Sequence, residues 1–334
     1  LEKDNHNSVV FEYLAGDFLI ASEQIILSEG KLSADINSDG KTTVKPSENK
    51  LYITFDNGSM IFDKSTGFIT SYIYKNHEMI NSFPLGDFKG FAPAFYRAPL
   101  DNDRNICKYW HTMGLQNTSN ICKGSNFTDN GDNIVITTNI KSIANCILPV
   151  ANTQIKYTIY PNGNILVDVN CLGGGAVKLL PRFGVMLEMP KEYENIKYFG
   201  LGEDVNLPDY KEHTINKVYQ TTVDKLKEDY IKPQESATRC DVRFAEITNA
   251  SGFGLRFEAV NKPFIFSASH YTSNQWAKAM HRDDLVDLPT TCVNIDSSVL
   301  GAGSNACGPL PDKKDRVGSL SGKKLSFVVK PIGE

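Results

Sequence analysis

Apolar and polar residues alternate through most of this chain, which is the pattern of β-strands with one buried face. Turn-forming pairs such as Asn57-Gly58 separate these segments, and Asn-Gly favours a tight hairpin because both residues tolerate positive φ. Turns recur roughly every ten residues, a spacing typical of sandwiches and barrels. The sequence therefore predicts an all-β fold built from antiparallel sheets. The clearest strands are predicted at 51–55, 60–62, 68–74, 134–138, 154–160 and 165–170.

Helical signals are few. One covers residues 107–114 around Trp110, one is a turn at 223–229, and one covers 272–280. Since these segments are short and isolated, we expect them to connect strands rather than form a layer of their own.

The first part of the chain has a different character from the rest. Residues 1–31 contain two strand-like runs joined by Ala15-Gly16-Asp17, and two strands alone are marginally stable in water. We expect them to end a preceding domain or to extend an edge of this one. Residues 32–48 are rich in Ser, Gly, Asp and Lys and predict a linker. Residues 49–334 then form one large domain, and a start without Met predicts a processed or trimmed terminus.

Composition narrows the classes of partner. The 334 residues are 41% hydrophobic and 22% charged with a net charge of −4, so no basic excess points to nucleic acid or to an anionic membrane. No apolar run approaches the roughly 20 residues of a membrane helix. The seven cysteines are scattered without a Cys-x-x-Cys pair, which predicts reduced thiols rather than a disulfide framework or a zinc site.

The most informative stretch is Phe-Tyr-Arg-Ala-Pro-Leu-Asp-Asn-Asp at 95–103. Pro99 restricts its own backbone and keeps Ala98 extended, and the three polar residues after Leu100 favour a turn. The guanidinium of Arg97 can be accepted by Asp101 or Asp103. We therefore predict a strand that ends in a turn held by an Arg–Asp pair, with Asn102 at its centre.

This stretch resembles the signature that opens the C-terminal, or small-chain, domain of bacterial β-galactosidases of glycoside hydrolase family 2. The resemblance continues in order down to the end of the chain. One loop departs from the family pattern, because residues 203–210 keep mainly Asp209. The matching segments lie at 181–184, 198–202, 221–224, 230–235, 239–243, 266–271, 294–296, 300–304 and 327–331.

The resemblance implies a large antiparallel β supersandwich, similar to galactose mutarotase-like domains. It implies that the whole enzyme hydrolyses terminal β-galactosides with retention, using two glutamates on a TIM barrel ahead of this domain. This chain shows no alternating strand–helix pattern, so we expect it to lack both glutamates and assign no catalytic residue. The resemblance implies Mg and Na in the whole enzyme, mainly outside this domain, and we expect no cofactor here. The implied partners are a β-galactoside or galactose, the barrel and other domains of the same enzyme, and identical copies in a homo-oligomer.

Two segments are implied to lie near the substrate. The resemblance places Ser304, Asn305 and Cys307 at the substrate rim, where some members carry a Trp. A Cys offers less apolar surface than an indole, so the aglycone side would be more open. The alternative is a small hydrophobe buried in a glycine-rich turn.

The other implied segment is a mobile loop at 184–191. It would contain Gly184, Met186 and Glu188. The apolar residues between them fit a core strand equally well.

The remaining charged residues leave alternatives open. Arg239, Asp241 and Arg243 match the family and are more typical of ion pairs that hold a fold than of ligands. His270 and His281 could serve a free-standing aldose epimerase if a Glu converged on one of them, although a lone buried His is more often structural. A carbohydrate-binding module without turnover is a third reading, and Trp110 and Trp276 are its candidate sugar platforms.

Overall fold

The computed structural model describes residues 6–32, 36, 39–81, 90–303 and 307–333, without the side chain of Asn81. Within these residues the chain forms four antiparallel sheets and short helical connections. None of the described helices is long and apolar enough to cross a membrane. The strands are β1 (Asn7–Ala15), β2 (Phe18–Ser28), β3 (Thr43–Pro46), β4 (Lys50–Phe55), β5 (Gly58–Asp63), β6 (Phe68–Tyr74), β7 (His77–Asn81), β8 (Ala92–Ala94), β9 (Thr118–Asp129), β10 (Ile134–Ala144), β11 (Leu148–Ile159), β12 (Ile165–Gly174), β13 (Arg182–Pro190), β14 (Asn195–Gly202), β15 (Ile215–Thr222), β16 (Arg239–Val242), β17 (Phe244–Thr248), β18 (Gly254–Ala259), β19 (Phe264–Ser269), β20 (Thr290–Val299) and β21 (Lys324–Ile332).

Three larger sheets make up the domain. Nine strands form one sheet in the order β15-β14-β17-β18-β21-β12-β11-β10-β9. Five form the second, in the order β16-β19-β20-β13-β8, and five form the third, β3-β4-β5-β6-β7. The predicted all-β antiparallel fold is confirmed, and each predicted strand lies in one of these sheets.

One continuous hydrophobic core joins the sheets. Along β10 buried and part-buried residues alternate without interruption, so one face of the long sheet is turned inward. The ring of Phe62 in the third sheet packs edge-on against Tyr157 in the long sheet, with 6.1 Å between centroids. Tyr72 also donates a hydrogen bond to Gly163 O at 2.8 Å, which ties the same two sheets together.

The helices lie where the sequence predicted them. The α-helices are α1 (Ile106–Met113), α2 (Val223–Leu226) and α3 (Ser273–Lys278). One-turn 3₁₀ helices lie at Asp101–Asp103, Leu115–Asn117, Arg282–Asp284 and Lys313–Asp315. Gly114 ends α1 with a φ of 75°, the left-handed conformation that glycine adopts without strain. The indoles of Trp110 and Trp276 are buried and donate to Leu179 O and Ser269 Oγ. Both therefore pack inside the domain and are not open sugar platforms.

The predicted linker is partly wrong. Strand β3 lies within residues 32–48 and pairs with β4 from Thr43↔Thr54 to Pro46↔Leu51. Because Val44 packs against the core from this strand, the domain begins before residue 49. The first two strands form a separate two-stranded sheet, and their assignment to an edge extension or to the end of a preceding domain stays a prediction.

Candidate functional site

The signature turn and two other segments that resemble the family, 230–235 and 300–304, contribute to one cleft of about 330 Å³, together with the divergent loop at 203–210. Its walls come from the signature turn, from the loop after β14, from the segment before β16 and from the glycine-rich loop after β20. We call this the signature cleft and define it by Leu100, Asp101, Asn102, Tyr210, Tyr230, Gln234, Glu235 and Ala302.

Arg97 and Asp103 hold the signature turn from below. The guanidinium of Arg97 is fully buried and lies 2.6 Å from the Asp103 carboxylate. The same carboxylate oxygen accepts the Leu100 backbone N–H at 2.8 Å, so it caps the turn as well as neutralising Arg97. The predicted Arg–Asp pair is therefore confirmed, and Asp103 is the partner rather than Asp101. Since both groups are buried, each depends on the other for a charged partner.

Arg97 also connects the turn to the glycine-rich loop. Its Nη2 donates to Leu300 O at 3.2 Å, directly before that loop begins. Asn102 donates from its side-chain amide to Gly303 O at 2.6 Å. The position of the loop is thus set by two side chains that lie about two hundred residues earlier in the chain.

Asp209 anchors the same loop from the opposite side. Its two carboxylate oxygens accept the backbone N–H groups of Ala302 and Gly303 at 2.7 and 2.8 Å. A Cβ at Gly301 would lie 2.5 Å from this carboxylate, so a larger residue there would displace the carboxylate from the loop. Asp209 matches the family pattern although most of the residues around it do not. Its contact with the glycine-rich loop gives a physical reason for an aspartate at this position. Sequence reasoning had assigned it no role.

The segment before β16 completes the cleft. Gln234 accepts the Asp101 backbone N–H on its side-chain oxygen at 2.8 Å. Glu235 accepts a hydrogen bond from Thr238 at 3.1 Å and lies 3.8 Å from the buried guanidinium of Arg182. These contacts fix the orientation of both side chains at the floor of the cleft.

A buried charge cluster lies behind Glu235, and the sequence analysis missed it. Arg182 Nε is 3.0 Å from Asp296 Oδ2, and its Nη1 donates to Asn294 Oδ1 at 3.0 Å. Burial raises the pKa of Asp296 to about 7, with Arg182 opposing the shift and Glu235 adding to it. The signal was available, because Arg182 and Asp296 both lie in segments that match the family, on strands rich in apolar residues.

Two aromatic rings stand at the mouth of the cleft. Tyr210 and Tyr230 are exposed, unlike the two tryptophans. An exposed phenol ring offers an apolar face and a polar end, which suits contact with a sugar or with another protein surface. Sequence reasoning did not single out either residue.

The predicted substrate rim is only partly described. Cys307 is exposed in a turn. Ser304 and Asn305 lie outside the described residues. Of the described residues in this loop, Ala302 lines the cleft. The seven cysteines are free thiols, in line with the sequence prediction.

The expected mobile loop is wrong for this chain. Gly184, Met186 and Glu188 are buried in β13, which pairs with β20 along its length and with β8 over residues 184–186. Any Cβ at Gly184 would meet Asp296 and the backbone of Ile295 within 2.5 Å. The strand is covered on both faces, which is why its polar and apolar residues are buried alike.

Arg239 and Asp241 do not pair with each other, and each makes structural contacts with different partners. Arg239 is buried and donates to the backbone oxygens of Thr238, Glu203 and Leu226 and to the hydroxyl of Tyr198. Asp241 has a φ of 54°, in the irregular part of β16, and its carboxylate binds Lys211 at 2.6 Å.

Arg243 has structural contacts of a different kind. Its guanidinium donates to Gly30 O and lies 3.9 Å from the Glu29 carboxylate. It thereby ties the segment after β2 to the long sheet.

The two histidines considered for an epimerase lie in different surroundings. His270 is buried, with Nδ1 at 3.4 Å from Thr290 O and from Thr291 Oγ1. His281 is largely exposed beside Asp284 at 3.9 Å. Among the described residues no group of three or more His, Cys, Asp or Glu side chains could hold a metal ion.

Comparison with known proteins supplies the family. The model of the β-galactosidase small chain matches residues 54–329. A β-galactosidase of Actinobacillus pleuropneumoniae is 28% identical over 313 residues, which cover 92% of this chain and 30% of that protein. A β-galactosidase of Staphylococcus xylosus is 25% identical, over 88% of this chain and 29% of its own length. This chain thus spans less than a third of these relatives.

Two solved structures with a similar course of the chain are described as a sugar epimerase and a putative mutarotase. Galactose 1-epimerase from Lactobacillus acidophilus NCFM has a TM-score of 0.48 at 6% identity and covers 99% of this chain and all of its own. A putative mutarotase from Salmonella typhimurium has a TM-score of 0.44 at 11% identity, with 90% of this chain and 96% of its own covered.

Since the family model covers most of the described domain, this chain belongs to the β-galactosidase small-chain family.

Proposed function

We propose that this chain is the C-terminal, non-catalytic part of an enzyme that hydrolyses terminal β-galactosides with retention. The observation that carries the proposal is the family match over 54–329, combined with the small share of each relative that this chain spans. In this role the domain supports an active site built mainly by a TIM barrel on the remaining part of the enzyme.

The signature cleft supports this assignment by its chemistry. Retaining hydrolysis needs two carboxylates about 5–5.5 Å apart, one as nucleophile and one as acid and base. Glu235, which lines the cleft, is engaged by Thr238 and Arg182, and Asp209, which precedes Tyr210 of the cleft wall, is engaged by two backbone N–H groups. Both carboxylates are thus committed to holding loops, which suits a structural part of the site.

The proposed contribution to the substrate is at the rim. The loop anchored by Asp209 and Asn102 continues to Cys307, which is exposed. In the complete enzyme this loop borders the aglycone side of the pocket, and the tyrosines of the cleft face the barrel or the sugar. Mg and Na belong to the barrel side of the enzyme in this proposal, and identical copies of the full enzyme assemble into an oligomer.

The proposal is tested by activity of the chain alone and of the complete enzyme. Release of nitrophenol from a nitrophenyl β-galactoside is expected only when the barrel-bearing part is present. Turnover by the isolated chain that survives a second purification would show that it carries its own catalytic carboxylates. A complete enzyme without turnover on β-galactosides would overturn the assigned reaction.

A further inference from the structure

The hairpin formed by β1 and β2 carries an apolar surface that none of the described residues covers. Cross-strand pairing places Val9 opposite Ile25 and Tyr13 opposite Ala21, with Phe11 between them on the same side. The large apolar side chains on this side, which we call the outward face, are between 41% and 51% exposed. Its charged member is Glu23, whose carboxylate accepts the Tyr13 hydroxyl at 3.4 Å. An apolar surface of this kind on a soluble protein usually marks an interaction site.

The opposite side of the hairpin, which also carries the exposed side chains of Val10 and Ile26, is linked to the domain by polar contacts. Gln24 accepts the Asn216 backbone N–H at 2.7 Å and donates to the Asn216 carbonyl at 2.9 Å, at the edge strand β15. Gln24 also donates to Ser8 across the hairpin at 3.0 Å. Because this contact consists of amides and a hydroxyl, it orients the hairpin without burying its apolar residues.

The tip of the hairpin is apolar on both sides. Leu14, Phe18, Leu19 and Ile20 surround the turn at Gly16, and their exposed fractions lie between 49% and 72%. A turn at a water-exposed surface would carry mainly polar residues. Four large apolar side chains at one tip are typical of an element that inserts between other elements.

The edges of the hairpin are also available. Among the described residues β1 pairs only with β2, and β2 pairs only with β1. Each strand therefore has a row of backbone N–H and C=O groups that a further antiparallel strand can bind. Residues 7–28 contain Glu12, Asp17 and Glu23 but no Lys or Arg. This charge disfavours an anionic lipid surface, which basic residues would have to attract.

We propose that the outward face and the tip dock onto the barrel-bearing polypeptide of the same enzyme, where a β-sheet of that polypeptide covers them. The inference rests on the proposed function, since it takes the partner to be the rest of a β-galactosidase. The occupant follows from chain length and position. About 70% of the length of the Actinobacillus relative lies outside the part that this chain matches, and the hairpin lies ahead of the region 54–329 that the family model matches. The hairpin thereby becomes part of a sheet whose core lies in the partner.

The test compares matched variants of the full chain. The chain and the barrel-bearing polypeptide are co-expressed as two polypeptides, the complex is recovered through a tag on this chain, and its dissociation is measured by sedimentation velocity. Phe11→Glu changes the outward face and Phe18→Glu changes the tip. Ile147→Glu is the control, because Ile147 is 83% exposed at the turn between β10 and β11.

We expect Phe11→Glu and Phe18→Glu each to weaken the complex at least thirtyfold, and Ile147→Glu to leave it within twofold of wild type. The unfolding midpoint of each isolated variant should match wild type, because all three side chains are exposed. A wild-type chain that forms no complex, or two hairpin variants that bind like wild type, would overturn the inference. A self-association that Phe11→Glu abolishes without affecting the complex would identify a second copy as the occupant instead. Binding to phosphatidylcholine vesicles that Phe11→Glu abolishes without affecting the complex would identify a lipid surface as the occupant.

Turnover of the nitrophenyl galactoside is measured on the same samples. A complex that depends on the hairpin but has no activity would refute the proposed reaction and leave the docking surface standing. An active complex that tolerates both hairpin variants would refute the docking surface and leave the proposed reaction standing.

Discussion

The strand pair β10–β11 and the hairpin β1–β2 are both long and antiparallel, yet among the described residues only β10–β11 is covered by other parts of the chain. In β10 the apolar side chains of Ile134, Ile136 and Ile140 are almost completely buried against the core. In the hairpin the corresponding side chains are exposed on the outward face and at the tip. Alternation therefore predicts that a strand has an apolar face, but the surface that covers this face can belong to another polypeptide.

The same contrast applies to charged residues. The guanidiniums of Arg97 and Arg182 are enclosed by the domain together with their carboxylate partners. Lys191 and Asp287 also form a short pair, at 2.5 Å, but both of their side chains are nearly half exposed to solvent. Because water screens the second pair and not the first, similar distances carry different free energies.

The largest expected effect comes from Arg97. Replacing it in Arg97→Ala leaves the buried Asp103 carboxylate without its cation and should lower the free energy of unfolding by roughly 3–5 kcal/mol. Lys191→Ala is the matched control and should change it by at most about 1 kcal/mol. Urea denaturation of both variants measures the difference. Equal midpoints for Arg97→Ala and wild type would contradict a buried, mutually dependent pair.

The comparison of the two strand pairs can be tested directly. Ile136→Ala removes a buried side chain from β10 and should cost about 2–5 kcal/mol of unfolding free energy. Phe11→Ala in the hairpin should change it by about 0.5 kcal/mol or less in the isolated chain, since no core is lost. Thermal or urea unfolding gives both values. A large loss for Phe11→Ala would mean that the outward face is already covered in the isolated chain.

Asp296 should make stability depend on pH. Its pKa in the folded chain is raised to about 7 from an ordinary value of 3.8, so between these values the folded state binds the proton more tightly than the unfolded state. Stability contributed at this site is therefore greatest at low pH and falls as pH rises from about 4 to about 7.

Asp296→Asn should flatten this fall in unfolding experiments over the same pH range. Asp287→Asn is the control, because the Lys191 ammonium and the Tyr271 hydroxyl lower the pKa of Asp287. Its effect has the opposite sign and should leave the fall between pH 4 and 7 in place. A stability profile of Asp296→Asn that parallels wild type would show that another group is responsible.

The smallest expected effect concerns the rim. In the complete enzyme Cys307→Trp adds an apolar face at an exposed turn and should change KM by about tenfold, equivalent to about 1.4 kcal/mol. The rate constant of the chemical step, kcat, should change less, because the added contact is made in the bound substrate as well as in the transition state. Steady-state kinetics of the two enzymes separate these constants. Unchanged values for both would remove Cys307 from the rim.

Local patterns in the sequence determined most of the fold. Alternation and turn residues predicted the strands, the three helical segments and the antiparallel class, because these depend on neighbours within a few residues. The signature turn was also predictable, since Arg97 and Asp103 are six residues apart and Pro99 limits the backbone between them.

Partners distant along the chain were decided only by the tertiary structure. Arg239 binds backbone oxygens from Glu203 and Leu226, and Asp241 turns to Lys211, because the irregularity in β16 directs the two side chains apart. Strand β13 lies between β8 and β20 and is buried on both faces, whereas its own sequence fitted a mobile loop and a core strand equally well. The hairpin shows the opposite case. Its sequence specifies an apolar face, and only the arrangement of the described residues shows that none of them covers this face.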